Sequence, residues 1–170
     1  MRFDVMPVVT EKQIAEIETT ARNVWQNYYK DIFSPEQIDY MFEKYQSRAA
    51  VRRQIEARNI YYMLLVDNEL AGYMCYKNCG DHVFISRLYI KPEYRRQGLA
   101  RRAIALFDTM AKIEEFDSIK TLRLQVERKN TFAINVYEHL GFYKIKSIDT
   151  DIGNGFYCND YVMERKIIKN

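Results

Sequence analysis

The chain has 170 residues, a net charge of +3 and a pI near 8.6. Its 48% hydrophobic and 29% charged residues are typical of a soluble globular protein, which excludes a disordered or membrane-embedded chain. The length suits one domain over residues 1–170, and three cysteines are too few for a disulfide-rich secreted scaffold.

The opening residues, MRFDVMPVVTEKQ, lack the charged-then-apolar layout of a signal peptide. No apolar run approaches the roughly 18 residues that suggest a membrane span. We therefore expect a cytoplasmic protein without a membrane partner, either a monomer or a homodimer. The mild net charge does not call for a nucleic-acid partner.

The N-terminal third predicts an edge strand followed by three helices. A proline-bearing strand is expected over residues 3–9. Thr10 and Gln13 form a capping box that starts the first helix, and Ser34 before a proline starts the second. A third helix is expected from 49 to 58.

The remainder of the chain predicts six more strands and two helices. IYYMLLV, LAGYMCY and HVFISRLYI indicate three successive strands, which we expect to be antiparallel. Further on we expect a helix after Gly98, a strand over 121–126, a helix over 130–140, and strands over 142–148 and 156–168 around a loop at 151–155. The fold class is therefore α/β (α+β type), with a mixed, mostly antiparallel central sheet of about seven strands flanked by helices.

Four arginines surround Gly98 where the strand at 86–90 gives way to a helix. A helix start presents backbone N–H groups without intrahelical partners together with the positive end of the helix dipole. Small residues at Gly98 and Ala100 allow a phosphate to approach closely. The pattern therefore favours a pyrophosphate cradle, to which these arginines add charge: Arg95, Arg96, Arg101 and Arg102.

A second pattern follows about thirty residues later, in NTFAINVYEHLGF at 130–142. Asn130, Ala133 and Tyr137 lie at i, i+3 and i+7, on one face of a helix. With the earlier Arg95, Gly98 and Ala100, this order resembles the GNAT superfamily of acyl-coenzyme A-dependent N-acetyltransferases. The resemblance covers 82–145 directly and, through the predicted order of elements, extends to the whole chain.

The resemblance implies a GNAT-like sheet and acetyl-CoA as the acetyl donor. Backbone N–H groups from Arg96 to Arg101 would hold the pyrophosphate, and the splayed strand around Leu88 to Ile90 would pair with the pantetheine arm. The amide of Tyr89 or Ile90 would polarise the thioester carbonyl. The cofactor-binding residues implied in this way are Leu88, Tyr89, Ile90, Arg95, Arg96, Gln97, Gly98, Leu99, Ala100, Arg101, Asn130 and Ala133.

For catalysis, the resemblance implies Tyr137 as the general acid that protonates the departing thiolate. Many family members carry a glutamate base on the strand before the cradle, but ISRLYI has no carboxylate there. Arg87 stays protonated and cannot serve. The base is then Glu127 at the end of the next strand, or a water relay. The opposing interpretation makes Glu127 a surface residue paired with Arg128 or Lys129.

The expected acceptor is a small primary amine that attacks directly. Asp149, Asp151 and Asp160 fall around the last predicted hairpin, where negative charge favours a cationic amine such as a polyamine. The end of the chain, FYCNDYVMERKI, also resembles a bacterial GNAT branch that acetylates spermidine and related polyamines.

Three alternatives stay open. The first is a nucleic-acid-binding or regulatory module that uses the basic residues around Gly98, including Lys91, as phosphate contacts. The second is a GNAT-like domain that binds acyl-CoA without catalysis. The third is a zinc site, whereas we expect an enzyme without a metal. The zinc ligands would be Cys75, Cys79, His82 and Cys158.

Overall fold

The computed structural model describes residues 1–113 and 116–169, which form seven strands and five α-helices. The helices are α1 (Glu11–Tyr29), α2 (Pro35–Tyr45), α3 (Arg48–Glu56), α4 (Leu99–Met110) and α5 (Thr131–His139). The strands are β1 (Phe3–Pro7), β2 (Ile60–Val66), β3 (Glu69–Asn78), β4 (His82–Ile90), β5 (Thr121–Glu127), β6 (Tyr143–Gly153) and β7 (Phe156–Lys166). Within these ranges, every helix is too short or too polar to cross a bilayer.

The strands hydrogen-bond in the order β1-β2-β3-β4-β5-β7-β6. The pairs β1–β2, β2–β3, β5–β7 and β6–β7 are antiparallel, whereas β4 and β5 are parallel. The mixed, mostly antiparallel seven-stranded sheet predicted from the sequence is thereby confirmed. The parallel register joins 82–85 to 121–124, and β4 continues beyond it to Ile90.

The chain divides into two compact units. The first, residues 1–77 and 87–100, holds α1 to α3, most of the first three strands and the end of β4. Part of its core is a cluster of Val66, Ala71 and Leu99. The second unit holds the start of β4, the rest of α4, and everything after it.

The N-terminal helices start where the sequence predicts. Thr10 Oγ1 accepts from the Gln13 N–H at 3.2 Å, while Gln13 Oε1 accepts from the Thr10 N–H at 2.9 Å. This is the reciprocal capping box. Ser34 caps α2 through the Gln37 N–H, and Ser47 caps α3 through the Ala50 N–H.

The last hairpin differs from the sequence-based prediction. The expected loop at 151–155 shrinks because β6 runs on to Gly153. Asn154 and Gly155 form the turn, with φ of 54° and 76°. Two successive left-handed residues match the twist of a tight hairpin, so the strands can pair almost to their ends.

Gly72 in β3 faces the backbone of β4 at close range. A Cβ at this position would overlap the carbonyl oxygen of Tyr89. The close approach fixes the path of the strand end that carries three of the predicted cofactor-binding residues. The sequence gives no sign of this constraint, because the two segments are distant along the chain.

A buried polar network links the helices of the first unit to its strands. Gln46 is 0% exposed. Its Nε2 donates to Tyr61 Oη at 3.1 Å and to the Tyr45 carbonyl at 2.6 Å, and its Oε1 accepts from Tyr73 Oη. Trp25 Nε1 donates to Tyr73 Oη at 3.1 Å. Burial raises the pKa of Tyr73, so its hydroxyl stays neutral and continues to donate.

We predict that Gln46→Ala lowers the free energy of unfolding by about 2 to 4 kcal/mol, because buried hydroxyl groups lose partners and a cavity remains. Urea denaturation measures the loss. Gln26→Ala is the matched control, since Gln26 is exposed and bonds only to Asp39 at 3.4 Å among the described contacts. Equal losses in the two variants would show that the network does not stabilise this unit.

Candidate active site

The predicted cradle is a left-handed turn at the start of α4. Arg96 has φ of 61° and Gly98 has φ of 76°, and Leu99 begins the helix. Space around Gly98 is open, since a Cβ there would meet no atom within 4 Å. Leu99 is 2% exposed and anchors the turn in the core of the first unit. The exposed turn therefore presents first-turn N–H groups on a fixed base, which suits an anionic ligand.

Arg95 holds the turn against its surroundings instead of extending from it. Its Nε donates to the Ile90 carbonyl at 3.0 Å, and its Nη1 donates to Asn27 Oδ1 at 3.2 Å. Its Nη2 is buried and, among the described residues, has no hydrogen-bond partner. The structure thus brings Arg95 and Ile90 together, and it gives the Arg95 side chain a positioning role that the sequence did not predict.

The end of β4 contacts α1 through Tyr89. Leu88 and Tyr89 are buried, and Ile90 is partly buried. Tyr89 Oη and Tyr29 Oη are 2.9 Å apart. Burial raises the pKa of Tyr29. Because the Tyr89 side chain is engaged in this way, its backbone is the part suited to binding a cosubstrate.

Arg87, on the same strand, lies among aromatic rings. Its guanidinium carbon is 5.9 Å from the Trp25 ring centroid and 5.5 Å from that of Tyr45. Burial lowers the pKa of Arg87. The neighbouring phenols of Tyr61 and Tyr89 act in the opposite direction, and the net shift is upward. Arg87 therefore carries a permanent positive charge and cannot act as a base.

In the second unit, Asn130 starts α5. Its Oδ1 accepts from the Ala133 N–H at 3.2 Å, and its own N–H donates to the Glu127 carbonyl at 2.9 Å. Asn130 is 8% exposed. The structure therefore brings Asn130 and Ala133 together at the start of α5, as their helical spacing predicts, and it places Glu127 beside them at the end of β5.

The ring of Tyr137 is fixed by the glycine and phenylalanine that follow α5. Gly141 has φ of 92° and turns the chain, and the Phe142 N–H donates to the Tyr137 carbonyl at 3.0 Å. The buried Phe142 ring then packs edge-on against Tyr137, with centroids 5.8 Å apart. The Gly-Phe pair of the sequence motif thus positions the tyrosine.

Glu127 is a buried carboxylate, only 6% exposed. Its Oε2 accepts from the Asn159 N–H at 2.9 Å. The interpretation of Glu127 as a surface residue is therefore wrong. Arg128 pairs instead with Asp149, with Nη2 and Oδ1 2.6 Å apart. A buried carboxylate at a strand end is suited to accept a proton.

The three aspartates of the last hairpin do not form one cluster. Asp149 and Asp151 are opposite Asn159 and Tyr157, whereas Asp160 is opposite Ile148. Since side chains alternate along a strand, Asp160 points to the other face of the hairpin. Asp149 is paired with Arg128, and Asp151 Oδ1 accepts from the Gly153 N–H at 2.9 Å. The expected grouping is wrong because proximity in sequence does not fix the face.

Asp160 instead lies directly opposite Glu127 in the antiparallel ladder of β5 and β7. The sequence could not place these two carboxylates together, because the register of β7 on β5 is set by non-local pairing.

The zinc alternative gains no support. Cys75 is buried, Cys79 is exposed and Cys158 is partly buried. Among residues 1–113 and 116–169, no three His, Cys, Asp or Glu side chains are grouped as metal ligands. His82 Nδ1 lies 2.7 Å from Asp81 Oδ1.

We predict that the Asp160 carboxyl makes the stability of the fold depend on pH. Burial raises the pKa of Asp160 from its ordinary value of 3.8 to about 6, and Glu127 adds to the rise while Arg128 opposes it. The native state then holds the proton more firmly than the unfolded state. The contribution of Asp160 to the free energy of unfolding therefore falls as pH rises from about 4 to about 6.

Asp160→Asn should remove this fall. The free energy of unfolding of the variant, taken relative to wild type, should therefore be higher at pH 7 than at pH 4 by about 1 to 2 kcal/mol, allowing for partial exposure. Urea denaturation at both pH values measures the effect, with the exposed Asp31→Asn as control. A wild-type pH slope retained in Asp160→Asn would contradict the prediction.

Known proteins resemble this chain in sequence and in fold. A spermidine N(1)-acetyltransferase of Thermoplasma acidophilum is 29% identical over 93% of this chain and 96% of its own. A [ribosomal protein bS18]-alanine N-acetyltransferase of Escherichia coli is 31% identical over 50% of this chain and 55% of its own. Among solved structures, the PaiA N-acetyltransferase of T. acidophilum in complex with coenzyme A has a TM-score of 0.77 at 23% identity. That match covers 98% of this chain and 99% of that one.

The family model described as Acetyltransferase (GNAT) family matches residues 20–142. This range contains both predicted motifs, the turn at Gly98 and the helix of Tyr137. The match covers well over half of the chain, so the protein belongs to the GNAT family and is an N-acetyltransferase.

Proposed function

We propose that the chain transfers an acetyl group from acetyl-CoA to a primary amine of a small cationic acceptor such as a polyamine, by direct attack. The observation that carries the proposal is the left-handed turn at Arg96 and Gly98 at the start of α4, which fits a pyrophosphate. Acetyl-CoA supplies the activated acetyl group. Both units are proposed to act as one N-acetyltransferase domain over 1–170.

The residues proposed to hold the cosubstrate in the first unit are the cradle and the end of β4. The backbone N–H groups from Arg96 to Ala100, continued by Arg101, bind the pyrophosphate. Leu88 to Ile90 pair with the pantetheine arm, and the amide of Tyr89 or Ile90 donates to the thioester oxygen. This assignment is supported by the open space at Gly98 and by the continuation of β4 beyond its ladder with β5.

In the second unit, Tyr137 is proposed as the general acid and Glu127 as the general base. The T-shaped contact with Phe142 supports a fixed direction for the phenol of Tyr137. The Asn159 N–H supports a fixed orientation for the Glu127 carboxylate. Asn130 is proposed to contact the pantetheine arm through Nδ2, because its Oδ1 already caps α5.

A cationic acceptor is supported by two observations. Glu127 and Asp160 place two carboxyl groups opposite each other on β5 and β7. The relative that this chain matches over 96% of that relative's length is named as a spermidine N(1)-acetyltransferase. A cytoplasmic location and a monomeric or homodimeric state stay predictions.

We predict that acetyl-CoA raises the melting temperature of the wild-type protein by roughly 5 to 10 °C at a hundredfold excess over Kd. Free coenzyme A should also stabilise, and ADP should do so more weakly. Differential scanning fluorimetry measures the shifts. The absence of a shift at millimolar acetyl-CoA would reject the cosubstrate, and salt-sensitive nucleic-acid binding by the same protein would then favour the binding-module alternative.

Gly98→Val should reduce this ligand-induced shift, because a branched side chain is strained at positive φ and covers the turn. Gly80→Val is a matched control: Gly80 has φ of 95° and equally open surroundings, in the loop between β3 and β4. Similar ligand shifts in the two variants would show that the turn does not bind the cosubstrate.

We predict that Tyr137→Phe lowers kcat by about 100-fold or more, because the departing thiolate loses its proton donor. Thiol release with a panel of amines, starting with spermidine, measures the rate. Tyr143→Phe is the control, since Tyr143 is 49% exposed and contacts Glu164. An unchanged rate in Tyr137→Phe would overturn the assignment of the general acid.

A further inference from the structure

The end of β5 carries a carboxylate whose cross-strand neighbour is another carboxylate. Glu127 and Asp160 are register partners in the antiparallel ladder of β5 and β7. Directly opposite residues in such a ladder share a face, with Cβ atoms about 4.5 to 5.5 Å apart. Like charges at this position are destabilising unless a proton or a cation compensates them.

Among residues 1–113 and 116–169, neither carboxyl group of this pair forms a salt bridge. Glu127 is held by the Asn159 backbone N–H, which is an uncharged donor. Arg128 is the cation next along the chain, but its guanidinium pairs with Asp149 on β6. Arg128 therefore only partly offsets the rise in the pKa of Asp160. On β6, the residue opposite Asp160 is the apolar Ile148.

Two adjacent carboxyl groups in a partly buried site lose their protons in two separate steps. The first proton leaves a neutral pair. The second proton leaves at higher pH, because its loss places two negative charges side by side. The pair therefore exists with one proton over a pH interval in which an isolated carboxylate would be fully ionised. Burial and the neighbouring Glu127 both act in this direction on Asp160.

We propose that Asp160 is a positioning residue that acts through Glu127: the doubly ionised pair accepts the proton that the attacking amine loses, and the two carboxyl groups then share that proton. This inference rests on the proposed acetyl transfer with Glu127 as its base. Asp160 does not need to touch the acceptor, because it acts through the neighbouring carboxyl group of Glu127.

The acceptor nitrogen loses two protons in one turnover. The acceptor enters as an ammonium and gives one proton to the doubly ionised pair. The amine nitrogen then forms the C–N bond, the C–S bond breaks, and the sulfur takes a proton from Tyr137. The second proton lost by the nitrogen restores Tyr137 through solvent, and the pair releases its proton to water.

The shared proton can be measured without any substrate. Carboxyl-carbon NMR of the full chain, labelled on Asp and Glu, follows the titrations of Asp160 and Glu127 between pH 3 and 8. In Glu127→Gln, the Asp160 midpoint should move down by about one pH unit, because the like charge has gone. An Asp160 midpoint that stays at its wild-type value would overturn the proposal.

The pH profile of kcat/KM with the best amine gives the second readout. The wild-type rate should decline below about pH 6, and in Asp160→Asn this decline should move about one pH unit lower. Asp151→Asn, on the other face of the hairpin, should leave the profile unchanged. A general loss of rate in Asp160→Asn at an unmoved profile would indicate a structural role and overturn the inference.

The failure of the proposed function has a different signature. If the wild-type chain released no thiol with any amine, the proposed function would be rejected. The NMR titration of Asp160 in Glu127→Gln would still decide whether the two carboxyl groups share a proton.

Discussion

The backbone between β4 and α4 adopts left-handed conformations at Arg96 and Gly98, and the proposed cosubstrate site depends on that constraint. The turn exposes first-turn N–H groups only because both of its ends are fixed. The Arg95 side chain ties the entry to the Ile90 carbonyl, and Leu99 buries the exit. The proposed phosphate-binding turn therefore depends on one hydrogen bond and one buried side chain as much as on its exposed glycine.

The second unit depends on a different constraint, which is the cost of burying a carboxylate. Glu127 ends β5, and α5 begins shortly afterwards, at Thr131. The Asn130 N–H donates to the Glu127 carbonyl, while the Glu127 side chain accepts from β7. One residue thus joins a strand, a helix start and a neighbouring strand, so the orientation of its carboxylate is set by backbone geometry.

Local chemistry explains what the sequence could predict. Capping residues, the helical spacing of Asn130 and Tyr137, and alternating apolar strands all act within a few residues. They predicted the helices and strands described here, apart from the extension of β6 to Gly153. The pairing of Glu127 with Asp160 and the close approach of Gly72 to Tyr89 depend on strand register between distant segments. No short-range pattern encodes register, which is why the three aspartates were wrongly grouped.

Trp25 is the only tryptophan in the sequence. It donates to Tyr73, and its ring centroid lies 5.7 Å from that of Tyr89, on the strand proposed to pair with the pantetheine arm. At 2% exposure it is shielded from water. Indole emission responds to local polarity and to neighbouring phenols. The intrinsic fluorescence of this protein is therefore a built-in, label-free reporter of the packing behind β4, readable in any solution in which the chain is folded.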